Sequence, residues 1–235
     1  MPTMFMPRTI ENTPPARAFT LIELLTVIAI LGILAAIVLP TTSAARAAAA
    51  RSKTRVQFSQ WAAALEAFRQ EYGHYPALDA SGLVNPPGTS SDPAQIHLLH
   101  DVLAGRRRDG SPLPVSSPGN PLAPEAQNPR RLALLRFSES DLVPASFPDG
   151  EKRQLLRDAF DNTEIAVLVD RDLDGRITVG PTGDYATLPV VRAEHGAALA
   201  PTSEDFPAGG VRAGVVFYSA PPSAGEAAQL ILSWK

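Results

Sequence analysis

The 235-residue chain suffices for one ordinary domain with extensions, which excludes a large multidomain enzyme. Its 21 basic and 24 acidic side chains leave a net charge of −3, so it is no polycation for nucleic acid, and 45 % hydrophobic residues exclude disorder by composition. The absence of cysteine removes disulfides, thiolate nucleophiles and cysteine-bearing metal sites, while 23 prolines beside 6 % aromatics point to irregular stretches around a modest core.

Residues 19–39 read FTLIELLTVIAILGILAAIVL, with Glu23 the one charge and Thr20, Thr26 and Gly32 the other non-hydrophobic positions. As a helix this run spans ~32 Å at 1.5 Å per residue, the thickness of a bilayer's hydrocarbon core. A secretory signal peptide has an apolar region of about 7–15 residues ending at a small-residue cleavage site, and this run is too long for that. A buried soluble helix that is apolar on every side needs more cover than a Pro-rich remainder gives. The segment therefore predicts a membrane helix. Its orientation reads two ways: Arg8 and Arg17 precede it, but Arg46, Arg51, Lys53 and Arg55 follow, so the positive-inside rule alone places the C-terminal part in the cytoplasm.

A carboxylate inside such a helix is costly and is kept for a function, so Glu23 needs a partner. The run Arg17-Ala18, then Phe19-Thr20-Leu21-Ile22-Glu23-Leu24-Leu25, resembles the class III signal of type IV pilins and type II secretion pseudopilins, closely over residues 19–40. The resemblance implies that residues 1–18 are a leader cut between Ala18 and Phe19 by prepilin peptidase, and that Phe19 is then N-methylated. It also implies that Glu23 neutralises the terminal amine of a neighbouring subunit, and that Pro40 softens the helix. Ala18 departs from the family, which normally has Gly before the cut. Opposite charges attract strongly in a low-dielectric layer where either alone is costly, so their pairing sets the axial register between subunits. By the same resemblance the protein is single-pass in the bacterial inner membrane with its C-terminal part in the periplasm, against the basic-residue count.

Residues 41–76 continue the helix. Phe58, Trp61, Leu65, Phe68 and Tyr72 recur at spacings of 3, 4, 3 and 4 and share one face, which must be covered, and a sheet is the expected cover. Gly73 supplies a stop and Pro76 forbids resumption. One helix over residues 19–72 is expected, kinked near Pro40. The phrases Ala64-Leu65-Glu66-Ala67-Phe68 and Tyr72-Gly73-His74-Tyr75-Pro76 resemble the helix exit of major pseudopilins, with His74 a polar loop residue.

Residues 77–157 form a Pro-rich variable segment. Residues 96–104 can form a short helix with Ile96, Leu99 and Leu103 on one side, and residues 130–136 another apolar piece. Arg106, Arg107 and Arg108 beside Asp109 read as a solvated turn. His97 and His100 are three apart, but no cysteine or carboxylate cluster in sequence completes a metal site.

Residues 158–235 read as an antiparallel sheet region. Asp158-Ala159-Phe160-Asp161-Asn162 resembles the pseudopilin turn D-P-W-G-N, keeping its ends and an aromatic. Strands are expected at residues 165–169, 176–179, 211–218 and 230–234. The closing phrases Tyr218-Ser219-Ala220 and Ile231-Leu232-Ser233-Trp234-Lys235 also resemble major pseudopilins, whose intervening loop typically binds calcium. Here that loop holds only Glu226, so the family's site is not carried across. A different loop has acids at alternate positions, Asp170, Asp172 and Asp174, then Gly175 sixth and Ile177 eighth, the first two-thirds of an EF-hand-like calcium loop. Arg176 would give its carbonyl; the twelfth position is Pro181, which offers no carboxylate, and Asp184 is near enough to reach back. The alternative is an Asp-rich hairpin with an ordinary Asp174-Gly175 turn.

No nucleophile elbow, phosphate-binding Gly loop or H-E-x-x-H motif is present, and no basic face rich in aromatics, so neither an enzyme nor a nucleic-acid binder is indicated. The expected fold is α+β and pilin-like, a long N-terminal helix packed on a small antiparallel sheet. The resemblance implies a pseudopilin-like structural subunit whose partners are prepilin peptidase, copies of itself, other pseudopilins and an inner-membrane assembly platform. Two alternatives stand beside it: a type IV pilin for adhesion, motility or DNA uptake, and a signal-anchored periplasmic binding module that does not polymerise.

Overall fold

A computed structural model of the chain describes residues 20–86, 97–115, 120–148, 154–193, 196–222 and 229–235, without the side chains of residues 37–41. The chain divides into two units, Met1–Arg46 and Ala47–Lys235.

Helix α1, Leu21–Tyr72, is 52 residues long and begins in the first unit. Leu, Ile and Ala dominate its start, and its described large apolar side chains there are exposed all round, from 46 % at Val27 to 81 % at Leu21. Among the described residues no helix is long and apolar enough to cross a membrane. The apolar run of the sequence also takes in Phe19, outside the described residues, and residues 37–39, whose side chains are outside them. Pro40 lies within α1, and its side chain is outside the described residues.

In the second unit the later turns of α1 lie on a sheet. Phe58, Trp61, Ala64, Leu65 and Phe68 are buried, and Tyr72 packs half-buried at the end of the stripe. Burying each large side chain contributes about 1.5–3 kcal/mol. Gly73 ends the helix at φ 81°, its N–H donating to the Arg69 carbonyl (2.7 Å), a left-handed position that favours glycine.

The sheet joins β1 (Ile165–Val169), β4 (Val215–Ser219) and β5 (Ile231–Leu232) in the order β1-β4-β5, all antiparallel. Ile165 opposes Ser219 and Val169 opposes Val215, while Tyr218 opposes Leu232. The outer edge of β1 is closed by residues 82–84, where Val84 N–H donates to Ile165 O and Val167 N–H to Gly82 O, both at 2.8 Å. Alternation sends Ile165, Val167, Val169, Val215 and Phe217 toward α1, where the Phe217 ring stacks on Phe58 at 5.5 Å and meets Trp61 edge-on at 5.7 Å. Ala166, Leu168, Val216 and Tyr218 face a second apolar layer of Ile177, Tyr185, Val191, Phe206 and Val211. Cover on both faces is why β1 is continuously apolar rather than alternating.

That second layer departs from the sequence expectation. Residues 176–179 are not a strand of the sheet. Ile177 makes one antiparallel bridge to Val211 and Val179 one parallel bridge to Tyr185. The Asp184 carboxylate takes the Thr178 N–H at 2.8 Å, so a side chain supplies what a ladder would have. Val211 is accordingly separate from β4, and a two-stranded hairpin of β2 (Val191–Arg192) and β3 (Ala198–Leu199) is added.

Within the Pro-rich segment, α2 (Leu98–Ala104) is buried on every side rather than on one, and α3 (Pro124–Gln127) packs against it. Residues 130–136 are not helical; Leu134 and Leu135 both donate to the Leu103 carbonyl, at 2.8 and 3.0 Å. Arg106 and Arg107 are exposed as a solvated turn requires, but Arg108 is drawn inward and only partly exposed. Single amides join these segments: Asn128 Nδ2 donates to Val102 O (2.8 Å) and Leu132 O (2.9 Å) while its Oδ1 accepts from Tyr72 Oη at 2.6 Å.

Candidate functional sites: the start of the long helix and an aspartate loop

At the start of α1 the Glu23 carboxylate is bound locally. Its Oε2 accepts from the Thr20 backbone N–H (2.9 Å) and the Thr20 hydroxyl (2.7 Å), and the Thr20 hydroxyl oxygen in turn accepts from the Glu23 N–H (3.3 Å). This reciprocal pair is a capping box, which satisfies helix donors that have no intrahelical partner. The T-x-x-E spacing of Thr20 and Glu23 was its sequence signal, overshadowed by the charge of Glu23. The carboxylate is exposed and therefore open to a second partner. Ala18 and Phe19 lie outside the described residues.

The second site follows β1. Its first acid, Asp170, is buried, and its carboxylate accepts from the N–H groups of Asp174 (3.2 Å) and Gly175 (2.8 Å). Asp172 Oδ1 accepts from Asp174 N–H at 3.2 Å. Asp184, fourteen positions beyond Asp170, reaches back: its Oδ1 accepts from Arg171 N–H (2.7 Å), and its Oδ2 from Thr178 N–H (2.8 Å) and Thr178 Oγ1 (3.0 Å). Asp170, Asp172 and Asp184 thereby bring one carboxylate oxygen each within 4.8 Å of one another. Asp174 is not in this group, because its Oδ1 closes a tight turn onto Arg176 N–H at 2.8 Å. The Arg176 guanidinium points elsewhere, donating to Gly209 O. Gly175 sits at φ 87°, the sharp turn that this convergence requires.

Burial raises the Asp170 pKa, helped by the Asp172 carboxylate beside it, against the pull of the Gly175 N–H. Burial also acts to raise Asp184, but the N–H donors of Thr178 and Arg171 outweigh it and hold this carboxyl below its usual range. Crowded carboxylates of this kind are relieved by a cation. Three hard oxygen donors suit calcium or magnesium rather than a thiolate- or imidazole-seeking metal. Arg171 is the positive charge already present, donating to Asp184 O at 3.0 Å and lying 4.1 Å from the Tyr185 ring centre.

Residues 14–39 match the family model described as the prokaryotic N-terminal methylation motif. The matched stretch is a small part of the chain and contains Ala18, Phe19 and Glu23. It marks a type IV pilin-like N-terminus, which implies processing by prepilin peptidase, membrane anchoring and assembly into filaments. No curated protein and no solved structure matches the chain significantly.

Proposed function

We propose that the chain is a pseudopilin-like structural subunit of a type II secretion or related periplasmic filament. The carrying observation is a lone carboxylate, Glu23, at the start of a helix that is apolar on every side, inside a methylation motif. Prepilin peptidase cuts between Ala18 and Phe19 and methylates the new terminus. The subunit then waits in the inner membrane, its C-terminal part in the periplasm, until an assembly platform extracts it. Apolar helices bundle with copies of themselves and with other pseudopilins, Pro40 lets the helix adjust, and contact between Glu23 and the Phe19 amine of a neighbour fixes each step.

The pseudopilin reading over the pilin one rests on three features: the phrases around Ala64 and Tyr72, the turn over residues 158–162, and a cysteine-free chain, since many type IV pilins close a C-terminal loop with a disulfide. Deleting the gene in the native bacterium tests it. Periplasmic retention of exoproteins is the result expected, whereas loss of surface pili with secretion intact would move the subunit to the pilin class.

We also propose a calcium site formed by Asp170, Asp172 and Asp184. Calcium in tenfold excess over its Kd is expected to stabilise the folded chain by about 1.4 kcal/mol, read as a rise in Tm. Asp172→Ala should remove the response with little change in the calcium-free Tm, because Asp172 holds just one backbone N–H. An unchanged wild-type Tm at millimolar calcium would return the loop to a plain turn.

A further inference from the structure

Filament assembly makes no use of a polar cluster between residues 97 and 108, in which His97 and Arg108 are half-buried. His100 is buried with its Nδ1 2.8 Å from Asp101 Oδ1, and Asp101 is buried too. His97 Nδ1 lies 3.4 Å from Arg108 Nη2, and the Nε and Nη1 of that guanidinium are buried with no hydrogen-bond partner. The cluster is joined to the core through rings. His100 packs on Phe137 at 4.9 Å, Phe137 on Trp61 at 5.9 Å, and Trp61 on Phe217 of β4. Leu98, Leu99, Val102 and Leu103 of α2 are buried in the same core.

The charges around the imidazoles are unbalanced. Asp101 of α2 is the acid that acts on them, against Arg106 and Arg108 of the loop after it; of the elements packed alongside, α3 carries the buried Glu125 and the segment leading to Phe137 carries Arg136. A proton on His97 would place a second positive charge against a guanidinium whose Nε and Nη1 already have no partner among the described residues.

We propose that His97 and His100 form an acid-sensitive latch, which holds α2 in the core while both imidazoles are neutral and releases it when they are protonated. Release uncovers Trp61 and Phe137 while the hydrogen-bonded sheet stays closed. The sign follows from where each histidine is neutral. Burial, reinforced by Arg108, lowers His97 to about 4 from its ordinary 6.5, and burial lowers His100 as well despite Asp101. Between those values the open form binds protons that the closed form refuses, so closure weakens as pH falls from 6.5 toward 4.

Hydrogen exchange of the full chain in detergent micelles, corrected for the intrinsic pH dependence of exchange, tests the latch. From His97 alone, the opening equilibrium of residues 98–104 should grow about twentyfold between pH 7 and pH 5, while β1 and β4 keep their protection. The double variant His97→Gln/His100→Gln should flatten this profile. Arg108→Met should make it shallower, because a removed cation lets His97 protonate without opening. Histidine ring titration of the wild type by NMR reads the same groups without mutation. The latch is overturned if α2 stays protected through pH 5, if the double variant opens as the wild type does, or if both rings titrate near 6.5 in the closed chain.

Discussion

Glu23→Gln is expected to abolish filament assembly while the subunit still inserts into the membrane, and Thr20→Ala to leave assembly in place. The two substitutions divide the two roles of one side chain. Glutamine at the third helical position keeps a capping box with Thr20, so helix initiation survives, but the negative charge is gone. A terminal ammonium brought into a low-dielectric bundle then has nothing to neutralise it, and a lone buried charge costs far more than a paired one. Thr20→Ala does the converse: it removes the cap, costing about 1 kcal/mol of helix stability, and keeps the charge. Filaments recovered by shearing, compared with subunit in the membrane fraction, read the outcome. Wild-type filament yield from Glu23→Gln would sink the charge-pairing step, and failure of Thr20→Ala alone would show that the cap is what assembly needs.

Asp158→Ala should be the most destabilising single change in the sheet region, by about 3–5 kcal/mol, and Asp158→Asn should cost about 1 kcal/mol. Asp158 is buried beneath the turn that leads into β1. Its Oδ1 accepts from Phe160 N–H (2.8 Å) and Asn162 N–H (3.0 Å), and its Oδ2 from Ser219 Oγ on β4 (2.7 Å). Asn162 Nδ2 completes the link by donating to Ala220 O at 2.9 Å. Alanine strands three donors, two of them buried. Asparagine keeps an oxygen that accepts from both N–H groups and turns its amide N–H to the Ser219 hydroxyl oxygen. Burial raises the Asp158 pKa against the pull of the Ser219 hydroxyl, so the folded state holds its proton more tightly than the unfolded one. Stability from this group is therefore present below the ordinary value of 3.8 and declines as pH rises through the folded value, the reverse of a salt-bridged aspartate. Denaturant midpoints of both variants at pH 7 and below 4 check the ranking and the sign.

Much of the frame was legible because it rests on periodicity. The stripe from Phe58 to Tyr72 needed only the helical repeat, and β1 only a β-branched apolar run bounded by Asn162 and Asp170. The layer under the sheet was not legible, because its order comes from single long-range bonds with no local signature: Tyr218 Oη to Pro189 O, Tyr185 Oη accepting from Val169 N–H, and Trp234 Nε1 to Asp205 O. Arg108 looked like part of a solvated run because its neighbours Arg106 and Arg107 are one, and sequence gives no sign that a third arginine turns inward. At the aspartate loop the alternation of acids was visible, but alternation does not say which carboxylate closes its own turn. Asp174 does so, and Asp184 stands near Asp170 and Asp172 in its place. Asp161 occupies the place of the glycine in D-P-W-G-N and adopts φ 63°, a left-handed conformation that aspartate tolerates better than most residues.

Mass spectrometry of the N-terminal peptide, from protein purified out of its native membrane, tests the central claim most directly. The account predicts a chain that begins at N-methyl-Phe19, cut after Ala18. A chain that begins at Met1 or Pro2 would contradict it, because no Phe19 amine would exist for Glu23 to neutralise.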